Sequence, residues 1–305
     1  MLFLLTAIGA ITAAFWTTLN AKYVNDGNHG AGHWSSSFVL GGSMLAASLY
    51  MLALWLVLWR IGYVVFPTSG LFWSSLAVTV AINITFEIFR FKAYGLVDMA
   101  MIAPFAGISP ILTILTSWLI ISEAPTAGGA LGIFLIAFSI YFLHIGDGQS
   151  WANITAPFRA IWKNRGVRYG FLASIPPALS IVFDKKAVLA SDPISFALFA
   201  LFFIGLGAWI FDFLAQGKTN FLRQINGERI GRFFRINLLL FVSNISFTFM
   251  FLFDNVPNVS ALRRLVIVAE VILGYYMLKQ RSNIKKRIIA SLGVVAGCIL
   301  IAIFR

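Results

Sequence analysis

The chain has 305 residues, of which 60% are hydrophobic and only 11% are charged, and its mean hydropathy is +0.88. A soluble domain is about 45–50% apolar and about 25% charged; these figures therefore exclude an ordinary cytosolic enzyme, a disordered chain and a coiled coil, and predict an integral membrane protein. The net charge of +12, from 23 Lys and Arg against 11 Asp and Glu, does not indicate nucleic-acid binding, because such a chain has no soluble face to carry a phosphate footprint.

A helix that crosses a membrane needs about 20 mostly apolar residues. The sequence contains ten runs of this kind, which predict an all-α polytopic membrane protein with ten transmembrane helices. Most connections are short turns, so successive helices are expected to be antiparallel neighbours. In chain order the predicted spans are approximately 2–21, 35–58, 70–91, 98–120, 127–145, 167–183, 194–214, 236–253, 258–278 and 285–304.

Basic residues are distributed unequally between the two membrane faces. If the loops are numbered one to nine, the odd-numbered loops share one face, here called the odd-loop face, which carries 17 of the 23 Lys and Arg. The positive-inside rule places this face in the cytoplasm and both termini outside. We also expect this face to contact anionic lipid headgroups. Its basic residues are Lys22, Arg90, Lys92, Arg159, Lys163, Arg165, Arg168, Lys218, Arg223, Arg229, Arg232, Arg235, Lys279, Arg281, Lys285, Lys286 and Arg287.

The two halves of the chain resemble each other at a nearly constant offset. Residues 81–86 match 242–247, residues 131–133 match 292–294, and residues 19–22 match 183–186. Because each half holds five helices, an odd number, the halves must have opposite orientations in the membrane. We therefore predict a 5+5 inverted repeat with a binding site near the midplane. The predicted units are a first repeat over 1–145, a connecting loop over 146–166 and a second repeat over 167–305.

The fourth and fifth predicted spans carry a distinctive stretch. Ala103-Pro104-Phe105-Ala106-Gly107-Ile108-Ser109-Pro110 is followed by an apolar run to Glu123 and then by Thr126 and Gly132. Together with the two five-helix halves, this stretch resembles the drug/metabolite transporter superfamily and, within it, the ten-helix EamA-like transporters. The resemblance covers nearly the whole chain, but the second half departs from the pattern, with Lys279-Gln280-Arg281 where family members often have an acidic residue.

The resemblance to EamA-like transporters implies a fold, an activity and an orientation. It implies a central cavity lined by the first, third, fourth, sixth, eighth and ninth helices, through which a small metabolite crosses. It also implies cytoplasmic termini, whereas the charge distribution places the termini outside. The orientation in the membrane therefore stays open.

Charged residues within the ninth predicted span are the first candidates for function. Glu270 lies near its middle, and Arg263 lies seven positions earlier, so a straight helix would place both side chains on one face, about 10 Å apart along the axis. A charge near the bilayer centre is costly and usually marks a transport pathway. We interpret Arg263 as a contact for an anionic substrate group and Glu270 as a substrate contact or proton-coupling site. The alternatives are snorkelling of Arg263 and Arg264 to headgroups and a structural ion pair for Glu270.

The third predicted span carries a polar stripe. Asn83, Glu87 and Arg90 lie on one helical face, and the repeat places Asn83 opposite Asn244. An amide both donates and accepts hydrogen bonds, so Asn83 and Asn244 are candidate contacts for a neutral or zwitterionic substrate, with interhelical hydrogen bonding as the alternative. Glu87 is a second candidate for proton coupling, or forms a local salt bridge with Arg90.

Prolines within two spans are candidate hinges. Pro104 and Pro110 lie in the fourth span, and Pro176 and Pro177 lie in the sixth. Each removes a backbone donor and bends its helix, which lipid tolerates only where the freed carbonyls face protein or water. Broken helices of this kind are typical of substrate cavities, although a passive kink is the alternative.

Other features have simpler interpretations. The motifs at 128–132 and 293–297 have glycines four positions apart and predict close helix packing, while Asp212 and Asp254 lie near span ends and are expected to be solvated. Gly217-Lys218-Thr219 ends like a nucleotide-binding loop, but the first glycine that such a loop requires is missing. No catalytic or metal-binding spacing is present in the sequence. We therefore expect no enzymatic activity, no cofactor and no metal.

The sequence thus predicts a multi-pass secondary transporter of the cell (inner) membrane. It would move a small amino-acid-like or other organic solute by alternating access, with proton-coupled export as one mode. The alternative is a translocase for a lipid-linked carrier, whose phosphate headgroup the basic residues would hold. We expect no nucleic-acid partner, and a homodimer is left open.

Overall fold

A computed structural model of the chain describes residues 1–27, 35–94, 96–97, 99–144, 155–223, 227–279 and 283–304. Within these ranges helices are joined by short connections, and no residue forms a β-strand. Nine helical segments of the described residues are long and apolar enough to cross a membrane. The chain is therefore an all-α, multi-pass membrane protein, as the sequence predicts.

The helices follow one another in the order that the hydropathy predicts. Those of the first half are α1 (Leu2–Gly27), α2 (Ser36–Arg60), α3 (Gly70–Tyr94), α4 (Met99–Ile102), α5 (Ile108–Ile121) and α6 (Ala127–His144). Those of the second half are α7 (Ala156–Lys163), α8 (Arg165–Leu172), α9 (Ile175–Ala190), α10 (Pro193–Arg223), α11 (Gly227–Phe249), α12 (Val256–Leu262), α13 (Val266–Met277) and α14 (Ile284–Phe304). Of the predicted connecting loop, residues 146–154 lie outside the described residues, and α7 forms most of the remainder.

Three of the predicted spans are interrupted. The fourth consists of α4 and α5 with a 3₁₀ turn over Ala103–Gly107 between them, and the sixth consists of α8 and α9, separated at residues 173–174. The predicted ninth span is divided by a 3₁₀ turn over Arg263–Leu265 into α12 and α13. Since each of these two helices is short, this segment is not among the nine that are long enough to cross a membrane alone.

The four predicted hinge prolines lie at two of these interruptions. Pro104 lies in the 3₁₀ turn, Pro110 in the first turn of α5, and Pro176 and Pro177 in the first turn of α9. A proline is tolerated in a first turn because the N–H groups there have no intrahelical acceptor. The prolines therefore mark where a new helix begins.

The two halves of the chain interleave. The most extensive helix contacts join α6 to α14, α2 to α10, α3 to α9 and α1 to α11, and each of these pairs takes one helix from either half. The buried core lies where the pairs meet and includes Phe72, Ile133 and Phe251. On the outside, large apolar side chains such as Leu56 and Ile210 are about half exposed, as expected of a surface that contacts lipid.

Glycines bring α6 and α14 into close contact. A Cβ atom built at Gly132 would lie 2.6 Å from the carbonyl oxygen of Gly297, and one built at Gly297 would lie 2.7 Å from that of Gly132. Each obstacle is a backbone atom, which cannot rotate away as a side chain can. The predicted packing role of these two glycines is confirmed.

Gly132→Ala is therefore expected to lower the free energy of unfolding by about 1–3 kcal/mol, the usual cost of overpacking. The matched control is Gly231→Ala in α11, where an added Cβ has no atom of the described residues within 4 Å. This control should be neutral or slightly stabilising, because alanine is the better helix former. Denaturant unfolding in detergent micelles measures both changes. Equal stability of the two variants would contradict the close contact.

Asp212 and Asp254 do not have the environment that the sequence predicts. The side chain of Asp212 is buried, with the residue 1% exposed, and it accepts a hydrogen bond from Ser35. The prediction that Asp212 is solvated is wrong, because α10, which breaks only later at Gly217, packs along α2 and brings Asp212 to Ser35 at the start of that helix. Asp254 is half-buried, and its Oδ1 accepts hydrogen bonds from the backbone N–H of Asn255 at 2.8 Å and from Asn258 Nδ2 at 3.0 Å.

Candidate functional site

A cavity of about 240 Å³, here called the central cavity, lies among α2, α3, α9, α10, α11 and the 3₁₀ turn that precedes α13. Two of its lining residues, Thr79 and Asn83, lie about halfway along α3. Three of the four predicted substrate contacts, Arg263, Asn83 and Asn244, line this one cavity. Among the residues that the structure describes, the polar ones that line the cavity are Thr79, Asn83, Ser180, Asp184, Asn244, Thr248 and Arg263.

Arg263 is held against aromatic rings. Its Nη2 donates a hydrogen bond to the backbone carbonyl of Phe247 at 3.0 Å. The guanidinium carbon lies 5.3 Å from the ring centre of Phe247 and 4.9 Å from that of Phe251, which are cation–π distances. Its Nε is shielded from solvent and has no hydrogen-bond partner among the described residues. Arg263 is thus positioned firmly and keeps donors for a ligand.

Asp184 provides the opposite charge in the central cavity. Its Oδ1 accepts hydrogen bonds from Thr79 Oγ1 at 2.8 Å and from Ser180 Oγ at 3.3 Å. Asn83 Nδ2 donates to the same Ser180 hydroxyl at 2.8 Å. Asp184 and Arg263 attract each other electrostatically, but these two described side chains form no contact ion pair within 4.0 Å. The cavity therefore presents a separated pair of opposite charges.

Asp184 is the charged site residue that the sequence predictions missed, and the hydroxyl residues Thr79, Ser180 and Thr248 were missed with it. The sixth span was expected to end at residue 183, because Asp184-Lys185-Lys186 has the composition of a loop, whereas α9 continues to Ala190. Two patterns pointed to Asp184. It lies four residues after Ser180 on one helical face, and the repeat aligns it with Asn20, a buried polar residue of α1.

Glu270 lies outside the lining of the central cavity. Its Oε1 accepts a hydrogen bond from Thr17 Oγ1 of α1 at 2.8 Å, and its charge interacts with Arg264. Arg263 and Glu270, which the sequence places on one helical face, thus have different surroundings: Arg263 lines the central cavity, whereas Glu270 is hydrogen-bonded to α1.

A further cavity of about 260 Å³, the second cavity, lies toward the odd-loop face, among α3, α5, α8 and α9. Arg90 and Arg264 line it, and Pro177 lines both this cavity and the central one. Arg90 Nη2 lies 2.6 Å from Glu87 Oε2, so Glu87 forms the local salt bridge that was one of its two interpretations. The described residues contain no group of three or more His, Cys, Asp or Glu that could hold a metal ion.

Structural comparison finds 29 chains of solved structures that match. One, described only as "Crystal structure of protein", superimposes with a TM-score of 0.70 and covers 98% of this chain and 96% of its own, at 14% identity. No family model matches the sequence, and no curated protein matches it. At 14% identity the likeness shows that the fold recurs in a solved structure, so function has to be argued from the cavities themselves.

Proposed function

We propose that the protein is a secondary transporter that moves a small zwitterionic solute of amino-acid type across the cell (inner) membrane by alternating access. The observation that carries the proposal is the separated pair of Arg263 and Asp184 in the central cavity. A guanidinium with spare donors suits a carboxylate, and a carboxylate that accepts only hydroxyl hydrogen bonds suits an ammonium group. A solute with both groups would bridge the pair.

The size and remaining polarity of the central cavity support a small solute. Sites for drug-sized ligands measure about 300–1,000 Å³, and this cavity is smaller, at about 240 Å³. The Nδ2 atoms of Asn83 and Asn244 donate to the backbone carbonyls of Thr79 and Leu240 at 2.9 and 3.0 Å. Their amide oxygens are left as acceptors for an ammonium or hydroxyl group.

The pattern of helix contacts supports an inverted 5+5 repeat. In such a repeat α1 corresponds to α8–α9, α3 to α11, α4–α5 to α12–α13, and α2 and α6 to α10 and α14. When each helix is exchanged for its equivalent, the α3–α9 pair becomes the α11–α1 pair. The α2–α10 and α6–α14 pairs are each converted into themselves. These four pairs are the most extensive helix contacts of the structure. The corresponding fourth and ninth spans each contain a 3₁₀ turn.

This symmetry supports ten spans, with α12 and α13 together as the ninth, and the resemblance to EamA-like transporters. Rocking of the two repeats would then occur about the interrupted helices, with Pro104, Pro110, Pro176 and Pro177 as hinges. No catalytic role is part of the proposal.

The test is uptake of labelled solutes into proteoliposomes that contain the full-length protein. The panel includes zwitterionic amino acids, monocarboxylates and amines of matched size, each measured with and without a pH gradient. The proposal predicts uptake of at least one zwitterion above the level of protein-free liposomes. Uptake that is restricted to singly charged or neutral solutes, or no uptake of any solute, would overturn it.

If protons drive transport, Glu270→Gln is expected to abolish gradient-driven accumulation and leave exchange of internal for external solute intact. The physical reason is that an amide cannot bind and release a proton, whereas the Thr17 hydrogen bond to Oε1 is retained. Glu87→Gln is the matched comparison, since Glu87 is the second coupling candidate. Accumulation by Glu270→Gln at the wild-type level would show that Glu270 does not couple protons.

The second cavity favours one alternative, a translocase for a lipid-linked carrier. Two arginines line that cavity near the odd-loop face, where a phosphate headgroup would enter. To test this alternative, a fluorescent polyprenyl phosphate is added to the same proteoliposomes, and the fluorescence of the lipid that reaches the outer leaflet is quenched from outside. Protein-dependent flipping of that lipid, without solute uptake, would favour the translocase.

A further inference from the structure

The second cavity combines apolar walls with two arginines, Arg90 and Arg264. Its walls include Phe86, Ile102, Phe105 and Pro177, which come from α3, from the interrupted fourth span and from the start of α9. Arg264, from the 3₁₀ turn before α13, is one of the lining residues. A cation among apolar walls at membrane depth is costly unless something compensates its charge.

Within the described part of the chain, Arg264 forms no hydrogen bond and no contact ion pair. Its Nε is shielded from solvent and has no hydrogen-bond partner among the described residues. Its electrostatic partner, Glu270, is hydrogen-bonded to Thr17 and forms no contact ion pair with Arg264, although all three side chains belong to the described part of the chain. By contrast, the other arginine of the cavity, Arg90, is bound to Glu87 at 2.6 Å. Arg264 therefore keeps charge-assisted donors for an anion.

The two cavities are neighbours, and consecutive residues line them. Arg263 lines the central cavity and Arg264 lines the second, and both belong to the same 3₁₀ turn. Pro177, in the first turn of α9, lies between the cavities and contributes to the walls of both. An anionic group that leaves Arg263 for the second cavity would thus enter a cavity that the next residue, Arg264, lines.

We propose that the second cavity is a second binding station for the anionic group of the transported solute, with Arg264 as its contact, so that a carboxylate passes from Arg263 to Arg264 during translocation. This inference rests on the proposed transport function. The apolar walls would contact the uncharged body of the solute, and the preferred occupant is a carboxylate attached to a short apolar chain. An anionic lipid headgroup would make the same contact with Arg264, and the test below distinguishes that occupant from the solute.

The first test is protection of Arg264 from phenylglyoxal, which modifies accessible guanidinium groups, with mass spectrometry of the full-length protein in phosphatidylcholine vesicles. Hexanoate is the probe, and hexanol and hexylamine are matched controls without a negative charge. Hexanoate alone should protect Arg264, and it should still do so in Arg263→Gln, which removes the anion contact of the central cavity. Equal modification with all three compounds, or no modification of Arg264 in the absence of a probe, would overturn the proposal.

A second set of vesicles contains phosphatidylglycerol and no hexanoate. Protection of Arg264 by this lipid, without protection by hexanoate in phosphatidylcholine, would overturn the solute station and identify a lipid headgroup as the occupant. Because the protection assay requires no transport, it separates the two proposals. Protection without any solute uptake would overturn the proposed transport function and the passage between the two arginines, and would leave Arg264 as an anion-binding residue of the second cavity.

In the transport assay, Arg264→Gln should slow exchange by about tenfold or more, the effect of losing one charge-assisted hydrogen bond. Equilibrium binding of the zwitterion at the central cavity should be unchanged, whereas Arg263→Gln should weaken it. Arg60→Gln, at the exposed end of α2, is the matched control and should change neither quantity. Loss of binding and exchange to the same degree in Arg264→Gln would overturn the separate station.

Discussion

Replacing Arg263 with glutamine is expected to weaken binding of a zwitterionic solute by about tenfold to a hundredfold, the value of one charge-assisted hydrogen bond. The Phe247 carbonyl and two aromatic rings already hold the Arg263 side chain in place. Binding of a carboxylate therefore costs little additional side-chain entropy. The substitution also removes the positive charge that compensates Asp184, which adds to the loss of binding affinity.

The diagnostic result is a change in selectivity. The wild-type protein should prefer an amino acid over two truncated analogues, one with only the carboxylate and one with only the ammonium group, because each analogue leaves one charge of the cavity unpaired. Arg263→Gln should remove the preference over the ammonium-only analogue. Asp184→Asn should instead remove the preference over the carboxylate-only analogue.

Binding titrations of the purified protein with the three compounds measure these preferences. Arg263→Lys is the control for folding and charge, and it should retain the preference for the carboxylate with lower affinity, since lysine lacks the planar guanidinium. If both substitutions weakened the binding of all three compounds equally, the two residues would have a structural role in the cavity and would not contact the solute.

The parts of this site that the sequence predicted are those governed by the bilayer. A run of about 20 apolar residues is required for each span, and a polar residue in such a run must face protein or water. These two requirements were enough to select Arg263, Asn83 and Asn244, which line one cavity although they are distant in sequence. The interrupted fourth and sixth helices were indicated in the same way by their prolines.

The parts that the sequence could not predict depend on how helices end and turn. Asp184 is followed by two lysines, which normally mark a loop, yet α9 continues because Glu123 and the carbonyl of Asp254 compensate the charge of Lys185. Neither partner is near Lys185 in sequence. Similarly, no proline or glycine marks the 3₁₀ turn that separates Arg263 from Glu270. Both features arise from contacts between helices.

The network around Lys185 provides the second large effect, on stability. Lys185 Nζ lies 2.6 Å from Glu123 Oε1 and donates to the carbonyl of Asp254 at 2.9 Å, while Glu123 Oε2 accepts the N–H of Val256 at 2.9 Å. Val256 is the first residue of α12, so the carboxylate also faces the positive end of that helix. The network thus joins the connection between α5 and α6 to α9 and α12, across the two halves of the chain.

Lys185→Met is expected to lower the free energy of unfolding by about 3 kcal/mol, the lower end of the range for breaking a buried ion pair. The lysine side chain is only 9% exposed, so its charge depends on Glu123. The Glu123 side chain is 28% exposed and can be partly solvated after the substitution, which limits the loss. Methionine is chosen because it keeps an unbranched apolar stem of similar length.

The decisive measurement is a double-mutant cycle by denaturant unfolding in micelles. Glu123→Gln alone should also destabilise, since it leaves the Lys185 ammonium buried without a counter-charge. The double variant removes both charges together and should therefore be more stable than the sum of the two single losses by at least about 1 kcal/mol. Lys186→Met is the matched control: its ammonium lies 5.6 Å from the ring centre of Phe183, a contact worth about 1 kcal/mol or less. Additive losses in the cycle, or equal losses at Lys185 and Lys186, would mean that this ion pair does not fasten the two halves together.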